Sequence, residues 1–177
     1  AARAHDPEAI VVQQQEQLGT AHAVAQARAA LEGFEGYAVV LYGDTPFIRP
    51  ETLEAMAAAR SAHDVVVLGF EAADPGRYGR LVTEGDTLTR IVEFKDASGE
   101  ERAISLCNSG VLAADAQLLF SLIEAVGNDN AAGEYYLTDI VEIARARGLS
   151  AGVVRCDEAE TLGVNTRAEL AAAEATF

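Results

Sequence analysis

Apolar residues fall into short unbroken runs separated by longer stretches of helical spacing, and this alternation sets the reading of the chain. The run Tyr37–Tyr42, which breaks at Gly43 in a strand ending at Asp44, and the run Asp64–Phe70 predict buried strands. Apolar side chains on both faces of such strands require helices on both sides of a sheet. Ile10–Val12 predicts a further short strand. An alanine-rich helix is expected from about Ala21 to Leu31 with Thr20 as its N-cap, and a second over roughly Glu51–Ala62 with Pro50 in its first turn. The order strand, helix, strand, helix, strand calls for a mostly parallel sheet with right-handed crossovers.

The middle of the chain changes period. Gly79–Thr83 and Leu88–Glu93, joined by Glu84-Gly85-Asp86, predict an antiparallel hairpin laid across a cleft or on the sheet edge. A strand over Ile104–Leu112, helices over Ala116–Val126 and Leu137–Arg147, a strand over Gly152–Cys156 and a short helix from Thr166 complete the pattern. There is no internal repeat, low-complexity linker or heptad series. The expectation is one α/β domain: a Rossmann-like, mostly parallel mixed sheet, helices on both faces and a hairpin insertion.

Composition narrows the partners. The 177 residues, half of them hydrophobic, suffice for one substantial core. Thirteen basic against 28 acidic residues give a net charge of −15, which opposes any sequence-independent grip on nucleic acid or an anionic membrane. A phosphorylated small substrate would need a divalent cation or local backbone donors. Lys95 is the single lysine. Cys107 and Cys156 lack the spacing of a metal-ligand set and are expected as free thiols of a reducing compartment. With no apolar run long enough to span a bilayer and no signal-peptide order at its start, the chain is expected in the cytoplasm.

The candidate chemistry begins where the first long apolar run delivers Asp44 beyond a strand end, the place where α/β sheets bind ligands. The same Asp-Thr-Pro sequence also serves as ordinary turn chemistry before a helix. Small or polar residues recur in five islands: Gln14–Thr20, Tyr42–Asp44, Tyr78–Arg80, Leu106–Gly110 and Gly133–Asp139. Each has a structural alternative. Gly19 would permit a tight turn, Gly79 a bulge, Asn108 a left-handed residue, Glu93 a strand-end charge paired with Lys95, and Tyr136 an aromatic packed at a helix entry.

Taken in order, QLGT (Gln17–Thr20), LYGD (Leu41–Asp44), YGR (Tyr78–Arg80), IVEFKD (Ile91–Asp96), NSG (Asn108–Gly110), GEYYLTD (Gly133–Asp139) and GVN (Gly163–Asn165) resemble a bacterial bifunctional family. The resemblance is to the uridylyltransferase (pyrophosphorylase) domain of N-acetylglucosamine-1-phosphate uridyltransferase / glucosamine-1-phosphate acetyltransferase. It implies Mg2+-dependent transfer of uridylyl from UTP to N-acetylglucosamine 1-phosphate, giving pyrophosphate and UDP-N-acetylglucosamine, a peptidoglycan and lipopolysaccharide precursor. It implies that Gln14, Gly19 and Thr20 read the uracil edge, and that Asp44 and Asn165 hold magnesium. Gly79, Glu93, Asn108, Tyr136 and Thr138, with Tyr42 and Gly43 beside them, would hold the amino sugar. No acid-base residue is implied, because the attacking phosphate is already anionic.

The family's opening strand and its LAAGxGTRM phosphate loop do not occur in residues 1–177, nor does the C-terminal β-helix through which these enzymes form trimers. The chain is therefore expected to be an incomplete domain, inactive or weak by itself. Lys95 and Arg80 are the nearest basic residues in the matching motifs, and neither is expected to replace the missing loop. Two alternatives stand beside this reading: a related hexose-1-phosphate nucleotidyltransferase, and a non-catalytic sugar-nucleotide-binding fragment.

Overall fold

The structure is a computed structural model that describes residues 2–164 and 166–175. Among these residues six strands form one mixed sheet: β1 (Tyr37–Val40), β2 (Val65–Glu71), β3 (Arg80–Glu84), β4 (Thr87–Val92), β5 (Leu106–Asp115) and β6 (Ala151–Cys156). The path is β4-β3-β5-β2-β6, with β1 attached to β5. β5 pairs antiparallel with β1, β2 and β3, and β2 pairs parallel with β6. Hence β1, β2, β3 and β6 point one way and β4 and β5 the other. The sheet is mixed as expected, but β2–β6 is the one parallel pairing among the described residues, because β5 threads between β1 and β2 where the sequence suggested parallel neighbours.

Among the described residues seven α-helices accompany the sheet: α1 (Ala2–His5), α2 (Thr20–Ala25), α3 (Pro50–Ala59), α4 (Gly99–Arg102), α5 (Ala116–Ile123), α6 (Ile140–Ala146) and α7 (Arg167–Glu174). Alternation along β2 sorts its side chains between two layers. Val65 and Val67 join Ala21 of α2, Leu119 and Phe120 of α5, and Ile140 and Val141 of α6 in the larger core. Val66 and Leu68 join Met56 of α3, Val111 and Ala113 in the smaller one. Each fully buried Val, Leu, Ile, Phe or Met among them contributes about 1.5–3 kcal/mol from apolar burial. The hairpin β3–β4 closes one sheet edge, and Leu81, Leu88 and Ile91 fold into the larger core. Gly69 makes room for this, since a Cβ there would lie 2.5 Å from Leu81 Cδ1.

Several expectations are corrected. Ile10–Val12 joins no strand, and all three side chains are exposed, so burial never draws them into a sheet. The strand expected to be buried around Leu41 is an edge strand that stops at Val40, with Val39 40% and Leu41 49% exposed. Its only strand partner among the described residues is β5. The Ala21–Leu31 helix divides into α2 and a 3-10 turn at Arg28–Leu31. Gly19, not Thr20, takes the N-cap position of α2, because the Thr20 hydroxyl is engaged by the Leu137 N–H at 2.9 Å. Among the described residues only glycines have positive φ, so Gly110 (φ 90°), not Asn108, is the left-handed residue. Both cysteines are free thiols. No helix among the described residues is long and apolar enough to cross a membrane.

Candidate active site

The site begins with a discontinuity in β5. On one side β5 pairs along its length with β2; on the other it pairs with β1 at Leu112–Asp115 and with β3 only at Cys107. Asn108–Val111 therefore face a gap between two strands. The register also shifts there: Val67 opposes Leu112, whereas Gly69 opposes Asn108, so two steps along β2 meet four along β5. The Ser109 hydroxyl covers the bulged backbone, donating to Leu68 O at 2.7 Å and accepting from Val111 N at 3.1 Å. Bulges of this kind bend a strand and re-aim its side chains beside functional sites.

Tyr42, just beyond β1, fills the gap. Its ring lies against Gly110, where a side chain would collide with Cε2 and Cδ2. Gly79, just before β3, closes the other side through its carbonyl, which accepts from Asn108 N at 2.8 Å. A Cβ on Gly79 would stand 3.5 Å from Glu93 Oε2 and 3.6 Å from Asn108 Cβ, so Gly79, Glu93 and Asn108 form one wall. The other Glu93 oxygen accepts from the Thr138 hydroxyl at 3.1 Å. Glu93 is thus tied to Thr138 across the cleft and makes no ion pair with Lys95 among the described residues.

Burial pushes the Glu93 carboxyl above its ordinary range; the Thr138 hydrogen bond offsets part of this and the Asp96 charge adds to it. Burial likewise raises the Tyr42 phenol, followed by the Glu93 charge, an opposing hydrogen bond with Thr20, and the Asp44 charge. These interactions place Tyr42 among Thr20, Glu93 and Asp44. Tyr136 is raised by burial and by Asp96, Glu93, Glu134 and Asp139 around it.

Two segments distant in sequence dock backbone to backbone above this wall. Tyr135 N donates to Leu18 O at 2.8 Å and Ala21 N to Tyr135 O at 2.9 Å. The approach requires glycine at 19: a Cβ would lie 2.5 Å from Tyr135 O, and φ is 116°. Gln14 Nε2 donates to Gly19 O at 3.2 Å and meets His22 Nδ1 at 3.0 Å. Gln14, Gly19 and Thr20 therefore make one group, joined through Thr20 to the Tyr135–Thr138 segment.

A cavity of about 320 Å³ lies between Glu93, Tyr136, Glu134, Phe94, Arg77 and Lys95, within the size range of small-molecule sites. Beside it an acid-lined cavity of about 310 Å³ includes Glu93, Asp96, Asp139 and Glu142. A larger concavity, about 580 Å³ between Gln26, Arg28 and Phe120, contains none of the predicted residues. Arg80 is 2% exposed and donates to the carbonyls of Gly76, Tyr78 and Arg102, so its charge is committed to the loop and withheld from any phosphate.

Asp44 stands exposed in the turn after β1, with Gly43. Its carbonyl accepts from Val164 N at 2.7 Å, which brings the segment leading to position 165 against that turn. Asn165 itself lies outside the described residues. No group of three or more His, Cys, Asp or Glu residues able to hold a metal occurs among the described residues. A single exposed carboxylate is a donor set that fits magnesium, which keeps several waters and takes one or two protein oxygens together with phosphate oxygens.

Nothing in the sequence marked His22, whose role arises from packing, and Ser109 and Gly110 appeared within a motif without the roles that the bulge gives them. The NSG string was visible, but nothing in it announces two extra residues on β5.

The family model of the MobA-like NTP transferase domain matches residues 1–106. The chain aligns over its whole length with the bifunctional protein GlmU of Ruegeria pomeroyi at 70% identity and that of Cereibacter sphaeroides at 73%. It spans 39% of the length of either relative. Among solved structures, a nucleoside-diphosphate-sugar pyrophosphorylase from Vibrio cholerae superposes at TM-score 0.66 and 16% identity, covering 90% of this chain and 66% of that one. A UDP-glucose pyrophosphorylase complexed with UDP-glucose superposes at TM-score 0.67 and 18% identity, covering 93% of this chain and 65% of that one. At such identities these likenesses concern the fold.

Proposed function

The chain belongs to the MobA-like NTP transferase domain family and is a nucleotidyltransferase, and we propose that within a protein of its relatives' length it transfers uridylyl from UTP to N-acetylglucosamine 1-phosphate. The observation that carries this reading is the alignment of all 177 residues at 70% identity with a GlmU protein. The wall of Gly79, Asn108, Glu93 and Thr138 supports it by offering a carboxylate, an amide and a backbone edge to a sugar.

In the proposed reaction an oxygen of the sugar phosphate attacks the α-phosphorus of UTP. A phosphorus–oxygen bond forms there while the bond to the β-phosphate bridging oxygen breaks, and pyrophosphate leaves with that electron pair. The attacking oxygen is already anionic, so no protein base is required. The residues align and discriminate. Glu93 accepts from sugar hydroxyls, Asn108 and Gly79 address the remaining polar atoms, and Tyr136 and Tyr42 bound the pocket. Gln14 with the Gly19-Thr20 turn complements the donor and acceptor edge of uracil. Asp44 and Asn165 would hold magnesium, which supplies charge neutralisation among the phosphates when bound.

The test is pyrophosphate release from UTP with N-acetylglucosamine 1-phosphate and Mg2+, measured on a protein of the relatives' length and on this chain alone. Glucose 1-phosphate serves as the competing acceptor. Preference for the N-acetylated sugar is expected. Preference for glucose 1-phosphate would move the assignment to a related hexose enzyme, and saturable binding of UDP-N-acetylglucosamine without turnover in the longer protein would reduce it to a binding module.

A further inference from the structure

His22 lies on α2, half-buried, and both of its ring nitrogens face side-chain amide nitrogens: Gln14 Nε2 stands 3.0 Å from Nδ1 and Gln26 Nε2 3.3 Å from Nε2. Backbone carbonyls, which can only accept, fix the orientation of both amides, because Gln14 Nε2 donates to Gly19 O at 3.2 Å and Gln26 Nε2 to His22 O at 2.9 Å. The ring is therefore met by donors on both sides. An imidazolium would set donor against donor at each nitrogen, and a neutral ring has one lone pair to give. The closer Gln14 contact takes it, so Nδ1 accepts and Nε2 carries the hydrogen.

Both hydrogens of the Gln14 amide are thereby engaged, one by Gly19 O and one by His22 Nδ1, and the acceptor Oε1 is what this side chain can present to a ligand. The carbonyl end of the clamp is rigid. Gly19 O also accepts from Ala23 N at 3.1 Å, and Gly19 is pressed against the backbone of Tyr135, where a Cβ would lie 2.5 Å from Tyr135 O. With that anchor alone the amide could turn about a single hydrogen bond. With the hydrogen on Nδ1 instead, the same ring would favour the reversed amide, which presents Nε2 outward. The lone pair of His22 decides between the two.

We infer that His22 is a positioning residue that locks the Gln14 amide with its oxygen toward the nucleotide base and thereby sets the preference for uracil over cytosine. The inference rests on the proposed role of Gln14 at the uracil edge. Uracil presents a donor, N3–H, where cytosine presents a lone pair, so a fixed acceptor opposite N3 pairs with one base and repels the other. An amide that can reverse loses this distinction, because its NH2 group offers cytosine the donor it needs. One hydrogen bond made or left unmade here is worth about 10-fold in affinity.

Nitrogen NMR of this chain, isotopically labelled at histidine and assigned with His22→Asn, should show Nδ1 of His22 unprotonated and Nε2 protonated; a hydrogen on Nδ1 overturns the inference, and this reading requires no folded ring variant. Steady-state kinetics in a protein of the relatives' length measure the consequence. His22→Phe, which keeps a ring and removes the lone pair, should raise KM for UTP about 10-fold, narrow the preference for UTP over CTP by a similar factor and leave KM for N-acetylglucosamine 1-phosphate unchanged. His22→Asn, whose Oδ1 can stand in for Nδ1, should keep the preference close to that of the parent. Equal rises in KM for both substrates, or a lowered kcat with the preference for UTP intact, would mark a merely structural ring and overturn the inference. Gln14→Ala separates the premise: a lost preference for UTP there, with parental behaviour in His22→Phe, defeats the inference alone, whereas an unchanged KM for UTP and an unchanged preference in Gln14→Ala defeat the uracil role of Gln14 and the inference with it.

Discussion

Replacing Asp139 by Asn should stabilise the protein near neutral pH, an unusual expectation for a residue inside a site string. Asp139 closes the turn Leu137–Asp139 and sits at the N-cap of α6, yet its side chain makes no capping hydrogen bond, so Asn forfeits nothing there. Burial first, then the charges of Glu142, Glu93 and Asp96, push its carboxyl from 3.8 up to about 6. The one nearby cation lining the same cavity, Arg90, is paired with Glu101. A rise from 3.8 to about 6 corresponds to just under about 3 kcal/mol at about 1.36 kcal/mol per unit. Asp139 is only partly buried, and solvent screening reduces this to about 1–1.5 kcal/mol. Because the folded value is the higher one, the folded chain binds more protons than the unfolded chain between 3.8 and about 6. Stability from this group is therefore complete below 3.8 and is lost as pH rises through about 6. Thermal melts of the parent and Asp139→Asn across this range read the difference directly. The variant should melt about 3–5 °C higher at pH 7.5, and the gap should close near pH 4. A variant that melts lower at pH 7.5, or a gap independent of pH, would refute the assignment of repulsion and desolvation to Asp139.

Asp44→Ala should abolish Mg2+-dependent turnover in a protein of the relatives' length while the melting temperature holds, and near-normal turnover would remove Asp44 from the ion site. Asn108→Ala should raise KM for the sugar phosphate more than for UTP, since Asn108 stands in the wall with Gly79 and Glu93; steady-state kinetics with each substrate varied reads the split. Gly110→Ala should cost about 1–3 kcal/mol in denaturant melts, because φ of 90° and the overlying Tyr42 ring both oppose a side chain. A cost below about 0.5 kcal/mol would mean that the Tyr42 ring is readily displaced.

Much of the fold is legible in the order of residues alone. The run Val65–Phe70, the Pro50 helix, and the two strands about Glu84-Gly85-Asp86 all appear as expected, because each is specified by local periodicity and turn chemistry. The site strings are legible too, though as words without a sentence: Glu93 reads equally well as a partner for Lys95, and Arg80 as a free cation. What resolves them is non-local. Glu93 meets Thr138 across forty-five positions, and Arg80 is consumed by loop carbonyls.

By itself the sequence determined most of the elements, the net acidity that leaves phosphates to a cation or backbone donors, and the residue types that line the proposed pocket, because side-chain period and net charge are local or additive properties. Only the tertiary structure decided that β5 runs between β1 and β2, that its bulge opens a gap for Tyr42, and that Gly19 admits Tyr135 against its backbone. Those outcomes depend on which strands share hydrogen bonds and which backbones come within contact distance. Such pairings join residues tens of positions apart, and no periodicity encodes them.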